Sequence, residues 1–70
     1  MKYINKTFCI EGDDELSFTI IEEKVFDDTY GAIYLAVTSN NNGIIVTELD
    51  LNIWLRHEMI YDCTEICSTT

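Results

Sequence analysis

The sequence predicts an α+β fold: a four-stranded antiparallel meander with one C-terminal helix packed on one face. Three observations carry that expectation. Gly12, Gly31 and Gly43 each sit in a polar cluster between apolar segments, as turns do. The segments they separate alternate with a period of two, the pattern of half-buried strands. After Gly43 the turn signals stop, although the chain runs on for twenty-seven residues.

The first segment, "KYINKTFCI", places Ile4, Phe8 and Ile10 on one side and Tyr3, Asn5, Thr7 and Cys9 on the other. "ELSFTIIEEKVF" lines up Leu16, Phe18 and Ile20. Its phase then slips at Ile20–Ile21, which predicts a β-bulge there. "AIYLAVTS" is rich in β-formers and groups Ile33, Leu35 and Val37. The "NNNG" that follows tolerates positive φ, and "IIV" returns as the fourth strand.

"TELDLNIWLRHEMIYDCTEIC", residues 47–67, fits two templates. As a strand, Leu49, Leu51, Ile53 and Leu55 alternate with Asp50, Asn52 and Trp54, which would give an all-β fold with 44–56 as one long strand. As a helix, Thr47 is an N-cap with Asp50 at N3 in a capping box. Glu48 and Asp50 then meet the positive end of the helix dipole. Leu51, Leu55, Met59 and Cys63 recur every four residues, with Leu49, Ile53, Ile60 and Cys67 alongside. Helix is the better reading, because no Gly, Pro or Asn-Gly is present to turn a strand back. The final "STT" is expected to fray.

Seventy residues suit a single domain, 1–70. A chain this short buries only about 60% of its unfolded surface, so its stability is marginal. No apolar run approaches the roughly 20 residues of a membrane span, and the start has no apolar h-region of a secretory signal. A soluble, cytoplasmic protein is expected. Cys9, Cys63 and Cys67 are an odd set, which reads as reduced, partly buried thiols packing as small hydrophobes. The net charge is −9 and Lys2, Lys6, Lys24 and Arg56 are scattered. Direct binding of nucleic acid, which needs a basic footprint, is not expected, nor is binding to an anionic membrane. A basic partner is favoured.

No metal or cofactor is expected. His57, Cys63 and Cys67 give H-x5-C-x3-C, but on a helix His57 points about 120° away from Cys63. The Asp13–Asp14–Glu15 cluster lacks the spaced ligands of a calcium loop. With one histidine and little room for a pocket, the chain is not expected to be an enzyme.

Two features point to protein binding. Trp54 and Tyr61, seven apart on the expected helix, share a face with Asp50, Glu58 and Glu65, the make-up of an interface anchor for a basic partner. The alternative is that these aromatics only finish the core. The second feature is "EGDDELSFTIIEEKVFDD", which holds eight of the thirteen acidic residues: Glu11, Asp13, Asp14, Glu15, Glu22, Glu23, Asp27 and Asp28. Neighbouring carboxylates ~6 Å apart repel by about 0.7 kcal/mol in water. Solubility needs net charge but not this clustering. A basic groove would relieve the repulsion on contact.

In size, acidity and lack of catalytic parts the chain resembles the small inhibitors that phages encode against host nucleic-acid enzymes, the DNA-mimicking anti-restriction, anti-glycosylase and anti-CRISPR proteins. The likeness is one of general character and carries over no residues. It implies a stoichiometric inhibitor acting in the host cytoplasm on a basic nucleic-acid-binding enzyme, the eight carboxylates standing in for phosphates and Trp54 and Tyr61 adding an apolar anchor. The alternative is a structural or assembly module. In it the second sheet face, expected to carry Tyr3, Cys9, Ile21, Ala32, Tyr34 and Ala36, packs against another copy in a homodimer or against a larger complex.

Overall fold

The computed structural model describes residues 3–64; Lys2, Glu65, Cys67 and the final Ser-Thr-Thr lie outside the described residues. Among the described residues the elements are β1 (Thr7–Ile10), β2 (Asp13–Asp27), β3 (Gly31–Thr38), β4 (Gly43–Thr47), α1 (Glu48–Arg56) and β5 (Ile60–Asp62). All neighbours pair antiparallel, in the order β4-β3-β2-β1-β5. The α+β class and the meander of the first four strands agree with the sequence. The fifth strand does not.

The helix starts where its cap says it should. Asp50 N–H donates to Thr47 Oγ1 at 3.0 Å and Thr47 N–H donates to Asp50 Oδ2 at 3.4 Å, a reciprocal capping box. It stops at Arg56, well before Cys67, where the expected helix ended. The chain turns back without glycine because Glu58 takes the left-handed conformation, φ 57°. Glu58 N–H donates to Leu55 O and Met59 N–H to Trp54 O at 2.8 Å, the two bonds of a Schellman motif. Ile60–Asp62 is thereby delivered to the free side of β1, opposite Phe8–Ile10. The four-residue recurrence thus crosses three kinds of structure. Leu51 is in the core, Met59 is in the turn, and Cys63 lies just past the strand. The long-strand alternative also fails, since β4 ends at Thr47.

Directly opposed residues in an antiparallel sheet share a face, so the register sorts the side chains. Phe8, Phe18, Ile20, Tyr34, Ala36 and Val46 face α1 and are buried with Leu51 and Ile60. The register shifts between Ile20 and Glu22, leaving Ile21 as the extra residue of the expected bulge; a second shift leaves out Lys24. On β3 the expected faces are exchanged. Ala32, Tyr34 and Ala36 lie beneath the helix, and Ile33, Leu35 and Val37 face the open side. Both faces of this strand are apolar, so alternation cannot choose between them. Backbone approach can: alanines leave room for a helix to sit close, and Leu51 is fully buried above them.

The cysteine expectation is also corrected. Tyr61 pairs with Cys9, so Cys63, two residues on, lies diagonally across from Cys9 on the same face. Their Cα atoms are 5.9 Å apart and the sulfurs form a disulfide. An odd cysteine count hid this pairing, because parity carries no information about register.

Candidate functional site

The β1–β2 hairpin turns on Gly12, φ 86°, which brings Ile10 opposite Asp13. Glu11, Asp13 and Glu15 are exposed around this tip, with Asp14 between them in β2. At the other end of β2, Asp27 Oδ2 accepts from Thr29 and Tyr30 N–H at 2.8 and 2.9 Å and shapes the β2–β3 turn, with Asp28 exposed beside it. Glu22 and Glu23 lie between the two ends, opposite Leu35 and Tyr34, on opposite faces of the sheet. The eight acids therefore form two terminal clusters and a divided middle pair.

Cations do little to neutralise them. Among the described residues the ion pairs are Lys24–Glu22 at 3.1 Å and Lys6–Asp62 at 3.5 Å, so one of the clustered acids is paired within the chain. Asp62 carries the other. Its carboxyl is held below the ordinary value by the hydroxyl and backbone N–H of Thr64, at 2.6 and 2.9 Å, with Lys6 adding to the effect. Burial pushes the Tyr34 phenol up, and the Glu48 charge adds to it.

Trp54 and Tyr61 are not brought together. Trp54 is on α1, half-buried, edge-on to Phe18 with centroids 6.4 Å apart. Tyr61 is on β5, where it shares the opposite face of the sheet with Cys9. Of their expected companions, Asp50 is occupied by the capping box and Glu58 has left the helix. The predicted aromatic pair was a product of extending the helix too far.

The structure shows instead an apolar groove that the sequence did not reveal. Nine residues of helix measure about 13.5 Å, too short to roof a sheet whose second strand has 15 residues. Beyond the C-terminal end of α1 an open groove of about 340 Å³ remains, lined by Ile10, Leu16, Phe18, Trp54, Met59 and Ile60 with Ser17, Thr38 and Ile44. That volume is at the lower end of the roughly 300–1,000 Å³ of ligand clefts. The available signal was Leu16, in phase with Phe18 and Ile20 but adjacent to the acidic tip. It is 36% exposed, whereas Phe18 and Ile20 are buried.

Among the described residues no group of His, Cys, Asp and Glu could hold a metal ion, and no helix is long and apolar enough to cross a membrane. No protein-family model, curated protein or solved structure matches the chain.

Proposed function

We propose that this chain is a small, non-enzymatic, acidic inhibitor that occupies a basic nucleic-acid-binding groove on another protein, in the manner of the phage-encoded nucleic-acid mimics it resembles. The observation that carries this reading is the lack of internal neutralisation. Of Glu11, Asp13, Glu15, Glu22, Glu23, Asp27 and Asp28, Glu22 alone has an ion-pair partner among the described residues. The acids gather at the hairpin ends of β2, where Glu11, Asp13, Glu15 and Asp28 are exposed and Asp27 is half-buried in its turn. The longest dimension of the molecule, 36 Å, is about one turn, ~34–36 Å, of B-form duplex, the size of a body that fills a groove built for about a turn of DNA.

The test is displacement of a labelled duplex from three purified proteins: a restriction endonuclease, a uracil-DNA glycosylase and an RNA-guided nuclease. Displacement from at least one is expected, weakening steeply as salt rises. Glu15→Lys and Asp28→Lys should each weaken it about tenfold. Asn40→Lys/Asn42→Lys, which changes net charge by the same amount in the β3–β4 loop, should weaken it much less. No displacement from any of the three, or equal loss from all variants, overturns the reading.

A cytoplasmic site of action belongs to this proposal, and the Cys9–Cys63 bond opposes it, since thiols are kept reduced in most cytosols. A protein working there must fold with both cysteines reduced. Circular dichroism under dithiothreitol decides this, and unfolding on reduction excludes the cytoplasmic placement.

A second reading, an assembly module, is favoured by the open sheet face. Val25, Ile33, Leu35, Val37 and Ile45 line it with no element of the described chain above them, and Ile45 is 61% exposed. Of the residues expected for that face Cys9 lies on it, whereas Ala32, Tyr34 and Ala36 are in the core beneath the helix, Tyr3 packs on Phe8 and Tyr34, and Ile21 is the extra residue of the bulge. Sedimentation showing a tight dimer insensitive to salt supports this reading over the inhibitor.

A further inference from the structure

The geometry points to the apolar groove as the seat of a basic amphipathic segment of the partner, bulky apolar side chains flanked by lysine or arginine. This inference rests on the proposed binding of a basic protein and names what that partner presents. Two independent features converge. The groove floor and walls are apolar, from Ile10, Leu16, Phe18, Trp54 and Ile60, and Met59 at its lip is 52% exposed. The charge around it is of one sign. Glu11, whose N–H donates to Met59 O at 2.9 Å, follows Ile10; Asp13 opposes Ile10; Glu58 precedes Met59. All three are exposed. Arg56 is the cation on this end of the helix, so the rim remains strongly negative.

An apolar trough with an acidic rim selects against acidic and purely polar segments alike. The trough rewards apolar anchors, as grooves that accept amphipathic helices do, and the rim rewards flanking cations. Neither feature alone would specify both properties of the occupant.

Trp54 is the sole tryptophan and lines the groove, so its emission reports occupancy directly. Three synthetic peptides of equal length serve as probes. The first carries leucines at helical spacing with lysines between, the second replaces every lysine with glutamate, and the third replaces every leucine with serine. The first is expected to shift Trp54 emission saturably and to bind at least about tenfold more tightly than either control. Met59→Ser and Leu16→Ser should each weaken it by a similar factor. Both residues are partly exposed, and unchanged circular dichroism and urea midpoints confirm that the variants fold.

If the lysine–leucine and lysine–serine peptides bind alike with Trp54 unmoved, the groove inference is overturned while the acidic-surface reading stands. If the glutamate peptide binds as well as the lysine one, the groove is indifferent to charge and the basic occupant is overturned. Emission that shifts with protein concentration alone assigns the groove to a second copy and overturns it too, as does failure of all three peptides. The expected peptide result with no displacement of DNA supports the groove and overturns only the nucleic-acid-mimic reading.

Discussion

Glu58 adopts φ 57°, a conformation that costs an L-residue about 1–2 kcal/mol and glycine almost nothing. Glycine loses more entropy on folding, so Glu58→Gly should gain a net ~0.5–1 kcal/mol. In a domain this size that raises the thermal midpoint by several degrees in calorimetry. The opposite case is Gly31, φ 77°. A Cβ there would lie 2.6 Å from Glu48 Oε1, the atom that accepts the Ala32 N–H. Gly31→Ala should therefore cost about 2 kcal/mol in urea unfolding, combining backbone strain with a displaced hydrogen bond. Glu48→Ala opens that space, so the two substitutions together should cost less than their sum. Acid acts through Asp62. Its folded pKa is depressed, so its contribution is complete above the ordinary carboxylate value of 3.8 and is lost as pH falls through the depressed value. Asp62→Asn should flatten the acid limb of the stability–pH curve in that window. At this scale Thr47 and Asp50 were legible, because a capping box is written in adjacent residues. Glu58 was not, because nothing in its chemistry marks a left-handed residue.

Among elements, β5 is the least autonomous. It has three residues and takes its backbone partners from β1 alone. Side chains add to this: the Thr64 hydroxyl accepts from Thr7 N–H at 2.8 Å, Lys6 pairs with Asp62 at 3.5 Å, and Cys9 is bonded to Cys63. The bond closes a loop of 54 positions, for which the chain-entropy model gives about 4 kcal/mol. Cys9→Ala should lower stability by a loss of that order. Hydrogen exchange should show the amides of Ile60–Asp62 losing protection before those of β2 and β3. The meander was readable because glycines and polar clusters punctuate it and its strands keep their period. The end of the helix was not, because Leu, Ile, Met and Tyr spaced across residues 51–61 satisfy a helix, a turn and a strand equally well.

At the scale of the whole molecule, one short helix serves a long sheet. It seals the centre, where Ile20, Ala36, Val46 and Leu51 have no exposed surface. It leaves three regions uncovered: the groove past its end, the open second face, and the β2–β3 hairpin, where Phe26 is 67% exposed. The acidic clusters could be read from the sequence as a list of residues. Their placement at the two ends of β2 could be read as well, because the turns around Gly12 and after Asp27 bound that strand. The trough beside one of them could not, because it depends on how far the helix reaches. Which side of β3 faces inward was equally hidden.

The strand order has a consequence for how the molecule is made. Its first strand is flanked on one side by a segment encoded more than fifty positions later, so the sheet's outer rank stays vacant through most of translation. Meanwhile Phe8 and Cys9 emerge early with half their shelter still inside the ribosome, and nascent chains are open to mispairing at that flank. Chains stalled on a short C-terminal linker that keeps Ile60 inside the tunnel should be digested readily at 3–12, and chains stalled on a linker long enough to bring Thr64 out should resist.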